Sequence, residues 1–503
     1  MTNNLFQNFI SKRVAVILLI VLVALISHSY NAFHFPYYEA DEGTYMSQAW
    51  SVVSMGKLAP HTYSYDHAPA GWILIALWSK LTMGFSTFGF SINSGRALMI
   101  LIHIASSLLL YSIAKRLTKS EVVGLVSALL FSLSPLAIHD QRRVLLDNIM
   151  VFWVLFSLFL AIGEGRKLRH FMLSAVAFGI AILTKEPAIF FLPGFLYIVF
   201  KNSQLNIRRF AVFQWFAIVL AIVSVYFLYA LLKNEFFQSG TFLGGDAPHV
   251  SFVETMKYQL SRDGGFFLSP DSDFRSNLKF WLGREYGDPI IIVMGILSLF
   301  IVSVLSFFYG RLRVAALLSW LYILYLIRGG NVIGFYILPL LPFLALNVAI
   351  CVKAILIYFE RWNSKRFGVA AVLLFLSPFL VYYATHTDIY TKDQTSGQIA
   401  AVEWMHENIR ENAVVLIDNY AFIELNSVPG NFYYYWKAER DPEIKANILK
   451  GDWRNVDYLL ATPQMTSDIA DADLELTKNA YMNSSSVKRF EDFGWYVEIR
   501  SVN

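Results

Sequence analysis

Ionisable residues stand in short polar breaks between long apolar runs: Asp41-Glu42, Asp66-His67, then His139, Asp140, Arg142, Arg143 and Asp147, then Lys185-Glu186, and Arg328. Ionisable groups at membrane depth are costly and usually mark a functional site. Both signs are present, which suits a charged substrate held at a lipid surface. A group leaving a phosphate carrier builds negative charge on that phosphate, and arginine, lysine or a metal stabilises it. An acceptor hydroxyl needs a carboxylate to take its proton. The chain supplies these two sets and no other obvious one. It has no Walker motif, no G-x-S-x-G and no H-E-x-x-H, so neither a nucleotide cofactor nor a nucleotide-binding loop is expected. Cys351 is the single cysteine, which excludes a disulfide or a cysteine metal site within one chain.

The elements that must position these groups are membrane helices. Of 503 residues, 56% are apolar and only 16% charged, with a net charge of +4 and a mean hydropathy of +0.48. That balance gives no sign of a nucleic-acid partner. A spanning helix takes ~20 apolar residues, and the chain offers about eleven candidates: 14–33, 92–114, 120–138, 144–163, 170–184, 187–201, 209–233, 288–309, 313–328, 332–352 and 367–385. The first follows Lys12-Arg13 without a small-residue cleavage site and reads as a retained helix. Alternate connections carry Lys12-Arg13, Lys115-Arg116-Lys119, Arg166-Lys167-Arg169, Lys201-Arg208-Arg209, Arg311-Arg313 and Arg361-Lys365-Arg366. Positive charge collects on the cytoplasmic side. The expectation is a multi-pass protein of the plasma or inner membrane, with a cytoplasmic N-terminus and the acidic breaks outside.

Two longer segments fall on that outer side. Residues 34–91 hold two amphipathic stretches, 41–56 (Tyr45, Met46, Ala49, Trp50 and Val53 on one face) and 69–82, which read as helices in the interface plane. Residues 234–287 are polar and glycine-rich and read as a mobile loop over a site. Beyond about residue 386 the composition becomes that of a soluble domain. Residues 397–410 suit an amphipathic helix; Val414–Ile417, Val456–Leu460 and Trp495–Ile499 read as strands. The division expected is 1–386 as the membrane catalytic domain and 387–503 as a small extracytoplasmic α/β domain.

The run Tyr38-Glu39-Ala40-Asp41-Glu42-Gly43-Thr44-Tyr45 resembles the Asp-Glu signature in the first outer loop of the GT-C glycosyltransferases, more narrowly of the protein O-mannosyltransferase and lipid A aminoarabinose transferase group (glycosyltransferase family 39-like). Three further stretches agree in order and position: Tyr65-Asp66-His67-Ala68-Pro69-Ala70-Gly71-Trp72, Arg143-Val144-Leu145-Leu146-Asp147-Asn148, and Gly334-Phe335-Tyr336-Ile337-Leu338-Pro339-Leu340-Leu341-Pro342. The resemblance implies the fold class, a polytopic α-helical membrane protein of the GT-C type, and an inverting transfer of one sugar, hexose or pentose, from a polyprenyl-phosphate donor to an extracytoplasmic lipid, glycan or protein. By the same resemblance Asp41 is the carboxylate near the reacting centre, with Glu42 supporting it or touching the acceptor. Asp66 takes the acidic position that helps hold a divalent metal. His67 stands where the aminoarabinose branch has a phosphate-binding lysine, a departure, since histidine is charged at neutral pH only if its surroundings raise its pKa. Arg143, Lys185 and Arg328 are further phosphate-binding candidates, with Asp147, Glu186 and Arg262 in support.

Structural readings stand beside these. Asp41 can cap a helix, Glu42 can complement a helix dipole, Asp147 can tie to Arg143, and Lys185-Glu186 can be an ion-paired turn. The main rival function is a flippase for lipid-linked sugars. The absence of repeated halves and of paired broken helices speaks against it.

Overall fold

The computed structural model describes residues 2–163, 165–283, 285–426 and 430–503, with side chains from residue 12 onward. The first part is a helical bundle: α1 (Thr2–Ser29), α2 (Ala40–Ser54), α3 (Ala70–Leu81), α4 (Ser91–Thr118), α5 (Glu121–Leu133), α6 (Pro135–Gln141), α7 (Leu146–Ala161), α8 (Leu168–Thr184), α9 (Leu192–Asn202), α10 (Arg208–Leu232), α11 (Phe252–Ser261), α12 (Asp273–Trp281), α13 (Pro289–Phe308), α14 (Arg313–Leu326), α15 (Leu341–Arg361) and α16 (Lys365–Thr385).

Each expected span falls on a helix, but their lengths differ. Among the described residues six helices are long and apolar enough to cross a bilayer, or seven if the bent pair α5–α6 is one span. The others are shorter: 16 residues in α7, 17 in α8, 11 in α9 and 14 in α14. At ~1.5 Å per residue these reach roughly 17–26 Å, less than the ~30 Å hydrocarbon core. On length alone these fall short of full spans; their inner faces pack in the bundle core, where Phe171, Phe178, Phe195 and Tyr322 are buried with α4, α5 and α15, while Leu173, Val176 and Leu324 stay exposed on their outer faces.

Proline marks two breaks that matter. Ser134 before Pro135 is forced out of helical geometry (φ −59, ψ 122), and α5 and α6 meet at 64°. The turned α6 carries His139 and Asp140 and delivers Arg143 to the start of α7. Lys185, just after α8, is extended (φ −155, ψ 129), ahead of a 3-10 turn over Glu186–Phe191 that contains Pro187.

The basic clusters gather at one end of the bundle. Arg13 and Lys115 both reach Glu121, and Arg116 and Arg166 donate to the carbonyl of Ile162 at the end of α7. The acidic breaks lie at the other ends of the same helices. Helix α3 buries Trp72, Ile75 and Ala76 and exposes Ile73, Leu77 and Leu81, an apolar stripe at helical spacing that suits an interfacial helix. The 234–287 segment departs from the expected mobile loop. It holds α11 and α12, and its backbone and side chains bind neighbours: Gly264 N donates to Gly329 O (2.8 Å), Asn277 Nδ2 to Val332 O (2.8 Å), Trp281 Nε1 to Gly334 O (2.6 Å), and Thr255 Oγ1 to Ser64 O (2.8 Å).

After α17 (Asp388–Thr391) and α18 (Ser396–Asn408) comes a five-stranded sheet: β1 (Val414–Ile417), β2 (Asn431–Tyr434), β3 (Tyr458–Ala461), β4 (Ser484–Asp492) and β5 (Trp495–Val502), in the order β2-β1-β3-β5-β4. The β2-β1-β3 strands are parallel and β5 and β4 antiparallel. Between the strands lie α19 (Phe422–Leu425), α20 (Tyr435–Arg440), α21 (Pro463–Asp471) and α22 (Glu475–Met482). The period of two splits the sheet's faces. Val415, Ile417 and Leu460 join Tyr38, Tyr45, Met46 and Ala49 in one core; Leu416, Leu459 and Ala461 join Tyr435 and Met465 in another. The sheet and helix α2 thus share a core, and α2 is sandwiched rather than lying free at an interface.

Gly43 lies where α2 meets the sheet domain. A Cβ there would lie 2.2 Å from the carbonyl carbon of Asn419 and 2.3 Å from Tyr420 N, both backbone atoms that cannot swing away. Gly43→Ala is expected to push the sheet off α2 at a cost of ~1–3 kcal/mol. The check is a lower unfolding temperature with faster proteolysis between α16 and α18; wild-type behaviour in both would show that this contact yields freely.

Candidate functional site

The N-terminal turn of α2 is the centre of the site. Its N-cap is Glu39, so Asp41 sits inside the first turn rather than capping it. Glu42 points away from Asp41. It is fully buried and its two oxygens accept from Arg96 Nε (2.9 Å), Arg96 Nη2 (2.7 Å), Val144 N (2.9 Å) and Glu39 N (3.2 Å). A carboxylate with this fork of charge-assisted bonds has no lone pair left for an acceptor. Glu42, expected to support Asp41 or to touch the acceptor, holds the turn on which Asp41 sits. Arg96 completes the knot by donating to Ala32 O (2.9 Å) and Tyr37 O (3.1 Å).

Asp41 is different. Its carboxylate has no hydrogen bond among the described residues and is half-buried. Burial raises its pKa, partly offset by the nearby positive charges of Lys185 and His67, with Asp147 and Asp468 pushing it further up. These groups define the neighbourhood. Lys185 Nζ donates to Asp147 Oδ2 (2.5 Å) and lies 4.8 and 4.7 Å from the ring centroids of Phe335 and Tyr336, a buried cation over aromatic faces. Burial alone would lower its pKa, but Asp147 and Tyr336 raise it, so it stays charged. Asp147 leaves Oδ1 without a partner. His67 Nδ1 pairs with Glu186 Oε2 (2.8 Å), and Glu186 Oε1 accepts from Ala68 N (3.1 Å). Burial disfavours the imidazolium, but Glu186 more than compensates and the His67 pKa is raised. The missing lysine charge at this position is thereby partly restored.

Arg143 forms an adjoining cluster. It is buried, contacts Asp140 only at 3.7 Å, and lies 4.5 Å from the Tyr37 ring centroid. Its Nε and Nη2 have no partner, nor does Glu39 Oε2. Buried guanidinium donors left open in this way fit an anion approaching from outside the chain. Glu39, between Asp41 and Arg143, has its pKa pushed well up by burial first and then by Asp41.

The remaining candidates lie at the rim. Arg328 is exposed and spends its guanidinium on Tyr325 O (2.8 Å) and Asn331 O (2.9 Å), stacking on Tyr325. These bonds shape the 325–331 turn, and Arg328 stands at the rim, apart from the buried cations beside Asp41. Arg262 bonds Gln259 (3.3 Å) and acts on Tyr336 by charge. Asp66 is exposed and accepts from Ser64 Oγ (2.6 Å). No group of three or more metal-ligating side chains gathers around it or elsewhere among the described residues. The donor set at Asp66 therefore does not fit a metal by itself, against the expectation for that position.

Three contributors escape a linear reading. Arg96 was legible only as a lone charge in an apolar run. Gln464 and Asp468 of α21 come from the far end of the chain: Gln464 Oε1 accepts from Ala40 N (3.4 Å), and Asp468 acts on Asp41 by charge.

Residues 66–229 match the family model described as dolichyl-phosphate-mannose-protein mannosyltransferase. An uncharacterised Aquifex aeolicus protein is 25% identical over 267 residues, which is 50% of each chain, so the chain spans about half the length of that relative. ArnT from Cupriavidus metallidurans, bound to undecaprenyl phosphate, superposes with a TM-score of 0.61 at 12% identity, over 98% of both chains. The Archaeoglobus fulgidus oligosaccharyltransferase, in complex with Zn and sulfate, superposes at 0.59 and 12% identity, over 92% of this chain and 71% of that one. The chain is a multi-pass membrane protein with the GT-C glycosyltransferase fold, and residues 66–229 resemble the dolichyl-phosphate-mannose-protein mannosyltransferase family in sequence.

Proposed function

We propose that this protein is an inverting glycosyltransferase that moves a single sugar from a polyprenyl-phosphate donor to an extracytoplasmic acceptor. The observation that carries the reading is the unpartnered carboxylate of Asp41, set between buried cations on the bundle side and the sheet domain on the other. The donor phosphate meets the open Nε and Nη2 of Arg143 and the charge of Lys185, with the His67 pKa raised by its pair with Glu186. Asp41 takes the proton of the acceptor hydroxyl. The acceptor oxygen bonds to the anomeric carbon from the face opposite the phosphate. The carbon–oxygen bond to the phosphate breaks, and its electron pair leaves on the polyprenyl phosphate, where the cations stabilise it. Asp147 and Glu186 keep Lys185 and His67 in place. No step is assigned to a metal.

The lipid-phosphate donor is supported by the undecaprenyl phosphate bound to ArnT. The basic end of the bundle supports a cytoplasmic N-terminus, with the site and the sheet domain (387–503) outside. The test uses purified protein in lipid with radiolabelled polyprenyl-phosphate monosaccharides. Label released from the carrier is the expected outcome. No cleavage of any donor, together with carrier movement across the bilayer, would leave a flippase instead.

A further inference from the structure

The two sides of Asp41 differ in charge. Towards the bundle lie Lys185 and His67; towards the sheet domain lies Asp468. The cations nearest the centre are each matched by a carboxylate: Arg96 by Glu42, Arg143 by Asp140, Lys185 by Asp147 and His67 by Glu186. Asp41 and Asp468 are not paired in this way.

The placement of Asp468 rests on contacts, not on charge alone. Helix α21 abuts the start of α2 through Gln464 Oε1 and Ala40 N. Asp468 is one turn further along the same face, at i+4. Its Oδ2 accepts from Tyr435 OH (2.5 Å) and Trp436 Nε1 (3.0 Å), which fixes the carboxylate and leaves Oδ1 without a hydrogen bond among the described residues. Trp436 is half-buried beside it. The closest cation on this side, Arg440, lies 4.5 Å from the Trp436 centroid and 5.1 Å from that of Tyr258, and bonds the Tyr258 hydroxyl (3.2 Å). Lys437 donates to Thr62 O (2.7 Å). A buried carboxylate oxygen in the same neighbourhood as Asp41, Asp147 Oδ1, also lacks a partner.

We infer that Gln464 and Asp468 of α21, with the indole of Trp436, form the acceptor side of the site, and that this side selects a neutral, hydroxyl-bearing acceptor over a phosphate monoester. The inference rests on the transferase reading above. A polyol presents hydroxyl donors to Asp468 Oδ1 and Asp41 and an apolar ring face to the indole. A phosphate dianion brings no donor and meets like charge from both carboxylates. The bond made and broken is the one already given: the hydroxyl oxygen takes the anomeric carbon, Asp41 takes the proton, and the polyprenyl phosphate leaves with the electron pair. Gln464 and Asp468 are positioning residues.

The full chain in lipid nanodiscs, supplied with labelled donor, is offered a short-chain alkyl glycoside and a short-chain alkyl phosphate at equal concentration. The expected result is label on the glycoside, with the phosphate taking less than a tenth as much. Asp468→Asn should raise the acceptor KM about tenfold with the donor KM in place, and Asp468→Glu should recover part of it; a loss through misfolding would move both KM values. Preferential labelling of the alkyl phosphate overturns the inference. So does donor cleavage by water alone while the glycoside stays unlabelled, or an acceptor KM in Asp468→Asn equal to wild type. No donor cleavage at all overturns the transferase reading beneath it, a separate result.

Discussion

Asp41→Asn is expected to lower sugar transfer by ~10²–10⁴-fold while leaving the unfolding temperature in place. The substitution keeps the size of the side chain and removes only its capacity to accept a proton. It breaks no hydrogen bond, because the Asp41 carboxylate makes none among the described residues. A loss of activity without a loss of stability would therefore report on chemistry alone. The pH profile of the wild type gives an independent check. Burial, first among the causes, raises the Asp41 pKa above the ordinary aspartate value of 3.8. A base works only when ionised, so activity should fall as the pH drops through this raised value, and the acid limb should lie above the ordinary aspartate value. Substantial residual activity in Asp41→Asn, with no acid limb, would mean that the acceptor arrives already ionised and that Asp41 only orients it.

Arg96→Met should be the most damaging single change to the fold. The guanidinium is completely buried and ties four places together: Glu42 on α2, Ala32 after α1, the Tyr37 carbonyl, and through Glu42 the Val144 amide ahead of α7. Methionine fills much of the volume but leaves Glu42 as an unpaired buried carboxylate, a situation that costs ~3–5 kcal/mol. The double variant Arg96→Met with Glu42→Gln removes the stranded charge and should regain part of that loss. Unfolding temperatures in detergent, taken for the two singles and the double, give the coupling. Additive effects would argue that the pair is not an energetic unit. Activity should fall in all three, because the same knot sets the direction in which Asp41 points.

The two predictions separate neighbouring residues of one motif. Asp41 and Glu42 are adjacent, acidic and in the same first turn, and nothing in their order distinguishes their tasks. Helical geometry does: successive side chains on a helix point ~100° apart. Glu42 therefore finds Arg96, while Asp41 faces Lys185 and His67.

The class of protein was legible in composition and local pattern. Apolar runs of helical length, basic clusters on alternate connections and a polar tail require a membrane bundle with an appended α/β domain, because hydrophobicity and charge act locally and leave a local record. The acidic and basic breaks likewise mark the residues for which the chemistry is proposed, since a charge at membrane depth is costly. The pairings were decided only in the tertiary structure. That Lys185 meets Asp147, that His67 meets Glu186, that Arg143 keeps buried open donors and that Arg328 bonds its own turn, all follow from which side chains the packed helices bring within a few ångströms. So does the arrival of Gln464 and Asp468 at a turn more than four hundred residues away in the chain. Hydrogen bonds and ion pairs depend on distance in space, and sequence separation carries no trace of it.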